Sequence, residues 1–278
     1  MKRIAIALLA GTALVGLHQG ASAADMAVKA APVAPLPTWT GLYLGVHGGG
    51  AWQHSGDWSW TDPNFLAGQV GAVPSPVTIG NSRANLGAVG GIQAGYNYQF
   101  AAWVVGVEGD ISWTSLSDHR TQSPAFTTGG GVGPIAGGAG FSATSLQMTK
   151  NDQWLASVRA RLGFTGWWNT LLYVTGGGAW VNVDYTGTGV FFNSFTDNVS
   201  FNTTKSGWVV GGGAEWQATT NILLRAEYLY YNFDSKVSGV APYVPAFGNF
   251  GSPSFNWDKF NVQVFRVAGS YRFDWLRY

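Results

Sequence analysis

The sequence predicts an all-β protein: an eight-stranded antiparallel transmembrane β-barrel with short periplasmic turns and long extracellular loops. Three observations predict it. Segments of strand length alternate between a large apolar face and a small or charged one, the period-2 mark of a β-strand with chemically different sides. All eleven prolines fall outside those segments, as a continuous ladder requires. Charged residues are only 10% of the 278-residue chain while aromatics reach 15% and glycine 40 residues, whereas a soluble domain carries about 25% charge. Low charge with much Gly and aromatic content suits β-structure in contact with lipid.

The chain opens with an export signal, residues 1–23. Lys2-Arg3 form the positive region, Ile4 to Leu17 the apolar region, and Ala21-Ser22-Ala23 an A-x-A cleavage site. The apolar run is too short for a spanning helix, which needs about 20 residues. Residues 24–38 read as an Ala/Pro linker without amphipathic period. The barrel domain is assigned to residues 39–278.

Eight strand-like segments follow: Gly41–Trp52, Asn85–Gln99, Trp103–Trp113, Gln153–Phe164, Leu171–Tyr185, Gly207–Gln217, Asn221–Asn232 and Val262–Phe273. The third shows the pattern best. Trp103, Val105, Val107, Ile111 and Trp113 share one face, and Glu108 and Asp110 lie on the other. Tilted by about 40°, its span between tryptophans covers roughly 25 Å, near the height of a membrane barrel's apolar band. Strands two and three, four and five, and six and seven are joined by short turns. The gaps 53–84, 114–152, 186–206 and 233–261 are long. Short connections on one side and long ones on the other are the sign of an outer-membrane barrel, and an even strand count puts both ends on the periplasmic side.

Charge placement agrees. Arg159, Arg161, Arg225, Arg266 and Arg272 lie opposite the large apolar residues, and so do Glu108, Asp110, Glu215 and Glu227. Five arginines against four carboxylates form a nearly neutral set for a closed lumen, and the guanidinium can share carboxylates there. The six lysines fall in the signal, the linker or expected loops. Aromatics mark two girdles. Phe100, Trp103, Phe164, Trp167, Trp168, Trp216, Tyr271 and Phe273 gather at the short-turn end, and Trp52, Trp113, Trp154, Tyr185 and Trp208 at the other. A soluble barrel with the apolar face inward calls for a dense Lys/Glu exterior, and the polar face here is thin and Lys-free.

Several stretches carry a resemblance. They are Trp39-Thr-Gly-Leu-Tyr-Leu-Gly, Gly90-Gly-Ile-Gln-Ala-Gly-Tyr-Asn-Tyr-Gln, Val105-Gly-Val-Glu-Gly-Asp-Ile, Trp154-Leu-Ala-Ser-Val-Arg-Ala-Arg-Leu-Gly-Phe and Leu172-Tyr-Val-Thr-Gly-Gly. Gly207-Trp-Val-Val-Gly-Gly-Gly-Ala-Glu-Trp, Arg225-Ala-Glu-Tyr-Leu-Tyr-Tyr and Phe265-Arg-Val-Ala-Gly-Ser-Tyr-Arg-Phe complete the set. In this order the chain resembles the alphaproteobacterial outer-membrane β-barrel proteins, the "porin family" surface proteins. The resemblance implies an OmpA-like eight-stranded barrel, inserted in the outer membrane by the barrel-assembly machinery. Members usually end on the aromatic of the last strand, whereas this chain continues past Phe273 with Asp-Trp-Leu-Arg-Tyr.

No catalytic, cofactor or metal site is predicted. Glu108 and Asp110 are two apart on one strand face, as an acid/base pair could be, but interior counter-charges explain them better. His47 falls on the lumen side with Tyr43, as a hydrogen-bonded interior residue. His54 with Asp57, and Asp118 with His119, lack the further ligands a metal needs. His54-Ser55 places neighbours on opposite faces, unlike a lipid-facing hydrolase pair. The Gly-Gly-Gly runs at 48–50, 129–131, 176–178 and 211–213 lead into no phosphate-binding helix. Absent cysteine excludes disulfides and thiolate chemistry. A net charge of +1 gives no case for nucleic acid.

The expected role is a structural surface barrel with a side-chain-filled lumen, contributing to outer-membrane integrity and meeting the environment or a host through its loops. Its expected contacts are outer-membrane lipid and lipopolysaccharide. The alternative is a narrow porin-like channel for small solutes, suggested by small lumen residues (Gly91, Gly95, Gly106, Gly176, Gly211). A loop-based ligand or host binder is a third reading. N-terminal sequencing of the exported protein is expected to begin at Ala24.

Overall fold

Each alternating segment forms a strand, and the strands close into a ring. The computed structural model describes residues 38–61, 77–80, 85–122, 126–127, 142–167, 169–191, 195–242 and 252–273. The expected signal, nearly all of the linker, most of the low-complexity stretch Thr127–Gly140 and the tail 274–278 lie outside the described residues. In chain order the strands begin with β1 (Gly41–Ser55), β2 (Trp58–Thr61), β3 (Val77–Ile79), β4 (Asn85–Phe100) and β5 (Trp103–Thr114). They continue with β6 (Ser117–Gln122), β7 (Phe126–Thr127), β8 (Ser142–Trp167), β9 (Thr170–Phe191) and β10 (Phe195–Gln217). The last are β11 (Ile222–Phe233), β12 (Val237–Val240), β13 (Ser254–Trp257) and β14 (Phe260–Phe273).

Eight of these make the barrel, in the order β5-β4-β1-β14-β11-β10-β9-β8, and β5 pairs with β8 to close it. Every pairing is antiparallel. The periplasmic turns are tight. Ala101 (φ 52°) and Asn169 (φ 54°) take the left-handed conformation at the β4–β5 and β8–β9 turns, a strained state that a two- or three-residue reversal imposes.

The barrel has two storeys of opposite polarity. In the lower one the outward residues are Leu44, Ile92, Val107, Val158, Val174, Leu224 and Val267, all exposed to the lipid region, while the inward ones are charged and buried. Trp113, Trp154, Trp180 and Trp208 face outward at its upper limit. Above them the strands continue and the polarity reverses. The outward residues become Gln153, Asn182, Asp184, Asn202 and Thr204. The inward ones become Leu146, Met148, Val181, Val183 and Tyr185, fully buried. Below the girdle the ring is a membrane barrel; above it, the side chains are arranged as in a water-soluble one.

This upper storey corrects three expectations. Segments 142–152 and 186–206, expected within loops, are largely strand, because β8, β9 and β10 run 26, 22 and 23 residues. A membrane strand needs only about 9–11. Tyr185, expected in the outer girdle, points inward and is fully buried. Lys150 and Lys205, expected in loops, sit on β8 and β10 with buried side chains. A register shift between Asp152 and Trp154 explains the lysine of β8. The bulge changes which parity faces inward, so that Lys150 and Asp152 join Ser157 and Arg159 on the inner side. Trp168, and the side chain of Trp167, lie outside what the structure describes; Trp103, Phe164, Trp216 and Tyr271 face outward at the periplasmic end.

A four-stranded sheet, β12-β13-β2-β3, packs over the extracellular mouth. Its Trp58, Trp60, Ile79, Phe255 and Trp257 join Tyr185, Tyr231, Phe233 and Phe260 in one buried cluster. Trp257 lies 5.0 Å, ring centre to ring centre, from Tyr185 and 5.6 Å from Phe201. Pro242 and Pro253 flank these short strands without entering them, and the Ala241 amide donates to the Pro253 carbonyl at 2.9 Å. Trp257→Ala removes the ring contacts of the cap with Tyr185 and Phe201, at a cost of about 3–5 kcal/mol. Hydrogen exchange is expected to rise in β12 and β13 while the ring keeps its folded mobility on gels.

Candidate functional site

The lower lumen holds the chain's densest chemistry, and strand register assembles it. Directly opposed residues are Glu108 and Arg159 (β5–β8), Glu215 and Arg225 (β10–β11), and Glu227 and Arg266 (β11–β14). Three opposite-charge pairs therefore form between neighbouring strands before any contact crosses the lumen. Arg159 donates to Glu108, and through Nη2 to Asp110 Oδ1 at 3.0 Å. Arg225 Nε donates to Glu215 Oε2 at 2.7 Å, and Arg266 Nε to Glu227 Oε2 at 2.8 Å.

A second set of bonds spans the interior. Arg159 Nη1 reaches Glu227 Oε1 at 3.0 Å, Arg225 Nη1 reaches Glu108 Oε2 at 2.6 Å, and Arg266 Nη1 reaches Asp110 Oδ2 at 3.1 Å. Arg161 Nη2 donates to Glu215 Oε2 at 3.1 Å. Four guanidiniums thus meet four carboxylates, each nearly or fully buried. The planar forks let each arginine serve two or three acids at once, which a lysine ammonium does less well.

Arg272, the fifth arginine of the expected network, occupies a different place. It is buried near the periplasmic end, where its Nη2 donates to the Thr220 carbonyl at 2.6 Å and ties β14 to the β10–β11 turn. The cluster of Glu108, Asp110, Arg159, Arg161, Glu215, Arg225, Glu227 and Arg266 balances without it.

Hydroxyls complete the cluster, and not all of them are evident from sequence. Tyr43 donates to Glu108 Oε2 at 2.5 Å and accepts from Arg161 at 3.0 Å. Tyr173 donates to Glu227 Oε1 at 2.8 Å, beneath the Arg161 guanidinium stacked 4.0 Å from its ring centre. Ser157 donates to Asp110 Oδ1 at 2.5 Å. His47 is buried, with Nε2 2.8 Å from Ser112 Oγ and 3.3 Å from Arg266 Nη1. The signal for Ser157 and Tyr173 was parity: each shares the inward parity of a charged or buried neighbour on its own strand. Below the charges, Trp39, Tyr43, Val104, Leu171, Tyr173 and Leu223 pack as an apolar floor.

The glycines that kept a channel in view leave little room. A Cβ at Gly91 would lie 2.9 Å from His47 Nε2, one at Gly95 would lie 2.3 Å from Tyr43 Oη, and one at Gly106 would lie 2.4 Å from Asn97 Oδ1. Their space is taken by larger neighbours. Gly176, expected on the lumen side, has inward parity against it: Val174 and Trp180 of the same parity face out.

A second polar group lies in the upper storey. Asp118 and Arg120 pair at 2.9 Å, and Lys150 and Asp152 at 2.5 Å, all buried. Lys150 Nζ sits 3.5 Å and Lys205 Nζ 5.0 Å from the ring centre of Phe260. Burial, followed by the positive charge of Lys150, lowers the Lys205 ammonium to about 8. Of the loop pairs weighed as metal ligands, Asp118 and His119 point to opposite sides. Asp118 faces inward to Arg120, while the His119 ring faces outward, 2.8 Å from Thr149 Oγ1. Among the described residues no group of three or more His, Asp or Glu could hold an ion.

Removing one member of a buried, fully paired charge set costs about 3–5 kcal/mol, because its partners stay buried without compensation. Glu108→Ala, which strips Arg159, Arg225 and Tyr43 of a shared acceptor, is expected to lower markedly the temperature at which the folded band is lost on gels. Val107→Ala, one residue away but facing lipid, should leave that temperature within a few degrees.

Comparison with known proteins follows the geometry. A family model described as "Outer membrane protein beta-barrel domain" matches residues 20–273. Over 267 residues the chain is 32% identical to the 31 kDa outer-membrane immunogenic protein of Brucella melitensis biotype 1, covering 91% of this chain and 93% of the relative. It is 28% identical over 207 residues to the 22 kDa outer membrane protein of Rhizobium leguminosarum bv. viciae, covering 74% and 70%. Among solved structures, Ail, the attachment invasion locus protein of Yersinia pestis, aligns at 14% identity with a TM-score of 0.37, covering 84% of this chain and 99% of that one.

Proposed function

Because the chain belongs to the outer membrane protein β-barrel domain family and resides in the cell outer membrane, we propose that it acts there as a non-enzymatic structural surface protein with a closed lumen. One observation supports this reading: among the described residues, buried side chains occupy successive levels of the interior. An apolar floor, the four-by-four charge cluster, the upper apolar core and the capping sheet follow one another along the axis. An eight-stranded ring has an interior just wide enough for side chains, and larger rings are needed for an aqueous path.

The role follows from that build. A plugged, salt-bridged ring adds mechanical continuity to the membrane, and its tall extracellular storey presents surface to the environment or a host. The relatives from Brucella carry the name immunogenic outer-membrane proteins, and exposure of the same storey here fits recognition from outside. Glu108 and Asp110 serve as counter-charges, since each is buried and held by two or more arginines. Biogenesis through the barrel-assembly machinery and contact with outer-membrane lipid belong to the same proposal.

Planar-bilayer recording of the refolded protein tests it. The expected trace is flat across the usual voltage range. Open steps of stable size would replace the plugged reading with that of a narrow channel.

A further inference from the structure

We infer that the outward face of β8–β10 just above the tryptophan girdle is a docking surface for the sugars of the outer-leaflet glycolipid, engaging their hydroxyls by hydrogen bonds and not their phosphates by ion pairs. The inference rests on the outer-membrane surface reading above and names the partner of its tall side.

Position comes first. Trp154, Trp180 and Trp208 mark the end of the apolar band, and Gln153, Asn182, Asp184, Asn202 and Thr204 follow within a few residues on the same strands. Two residues advance a strand by about 7 Å, so this group lies in the head-group layer, which is itself only several ångströms deep.

Chemistry selects the occupant. Recognition of phosphate in that layer calls for outward Arg or Lys. Among the described residues of β8, β9 and β10 above the girdle, the outward side chains are amides, hydroxyls, the Asp184 carboxylate and, near the far end of β9, Val190, with no Arg or Lys. Lys150 and Lys205 lie on these same strands but turn inward and are buried. A surface rich in paired donors and acceptors with no outward cation is matched to neutral polyhydroxyl groups.

The face is also ordered in advance. Asn182 Nδ2 donates to Asn202 Oδ1 at 2.7 Å, and Asn202 Nδ2 returns a bond to Asn182 Oδ1 at 2.8 Å. Asn202 Nδ2 also reaches Asp184 Oδ1 at 2.5 Å, and Gln153 Nε2 donates to Asp184 Oδ2 at 2.7 Å. Asn182 Nδ2 extends to Thr204 Oγ1 at 3.2 Å. This ladder spans three strands and fixes its side chains before any ligand arrives, which reduces the entropy lost on binding. The second lone pairs of its carbonyl and carboxylate oxygens remain available to sugar hydroxyls.

The test uses the full-length protein in nanodiscs that mix phosphatidylglycerol with a rough lipooligosaccharide, intact or stripped of phosphate. Native mass spectrometry counts the lipids retained. Lipooligosaccharide is expected to be retained about fivefold over phosphatidylglycerol, intact and dephosphorylated forms within about twofold of each other, and the preference of both should fall about fivefold in N182A/N202A, as the loss of one or two hydrogen bonds implies. Disappearance of the preference on dephosphorylation overturns the inference in favour of ion pairing. So does an unchanged preference in a folded N182A/N202A protein, and equal retention of phosphatidylglycerol does the same. Tight binding of the free, acyl-less oligosaccharide would point to a glycan outside this membrane and also overturn it. Gel mobility checks that N182A/N202A folds, and T204V reads the same face if it does not. A non-conducting barrel without glycolipid preference removes this inference and leaves the plugged reading standing.

Discussion

A sheet of eight strands closed on itself leaves an interior only as wide as the side chains that fill it, and whatever enters that space is cut off from water. For this chain the lower interior receives Glu108, Asp110, Glu215 and Glu227 with Arg159, Arg161, Arg225 and Arg266, all buried. Such charges are tolerable only when every one is paired and hydrogen-bonded. Register meets part of that demand, since Glu108–Arg159, Glu215–Arg225 and Glu227–Arg266 are cross-strand neighbours. The bonds from Arg159 to Glu227 and from Arg225 to Glu108 then join opposite walls. Ring closure and charge pairing are thus one constraint: the pairs exist because the ring holds the strands in register, and the ring is held in part by the pairs.

The change of polarity at the girdle follows from the solvent outside. Where lipid surrounds the barrel, the outward residues are Val, Leu and Trp, and the polar residues go in. Where aqueous surroundings begin, Asn182, Asp184 and Asn202 go out, and Val181, Val183 and Tyr185 take the interior. Neighbouring positions on β9 therefore exchange roles without any change in strand geometry. The cap sheet depends on this exchange. An apolar upper interior offers Trp58, Phe255 and Trp257 something to pack against, which the charged lower interior could not.

The ring, its strand order of alternating short and long connections, and the lumen set were legible in the sequence because lipid enforces a strict rule. A strand such as Trp103–Trp113 carries large apolar residues on one parity and carboxylates on the other, so its faces can be read directly. Above the girdle the rule weakens. Thr186–Ser206 is rich in Gly, Thr, Asn and Ser, a composition shared by loops and by strands facing water, and its strand character rests on pairing between β9 and β10 that no local pattern announces. The bulge between Asp152 and Trp154 hid Lys150 in the same way, since it shifts parity midway along one strand. Arg272 shows the remaining limit. Parity places it inside, but only the height of its row on the barrel separates it from the cluster.

Why the membrane-spanning interior carries charge at all, when an apolar filling of similar volume is often as stable, has an answer in sidedness. A strand that is apolar on both faces can slip by one residue at little cost, because lipid and core then accept either parity. With Glu108 and Asp110 on one parity and Trp103, Val105, Val107 and Trp113 on the other, a slip of β5 would drive carboxylates into hydrocarbon and leave Arg159 and Arg266 with Glu227 alone to share. Each misplaced arginine near the midplane costs about 2–4 kcal/mol and each carboxylate less, so wrong registers on β5, β8, β11 and β14 are penalised more than once. In the upper storey aqueous surroundings supply the same penalty by rejecting an exposed Leu146, Val183 or Tyr185, and charge is no longer needed to tell inside from outside. The larger charge cluster therefore lies in the part of the ring where the surroundings cannot mark the difference, and there it specifies the fold, while the upper storey buries only the Asp118–Arg120 and Lys150–Asp152 pairs with Lys205.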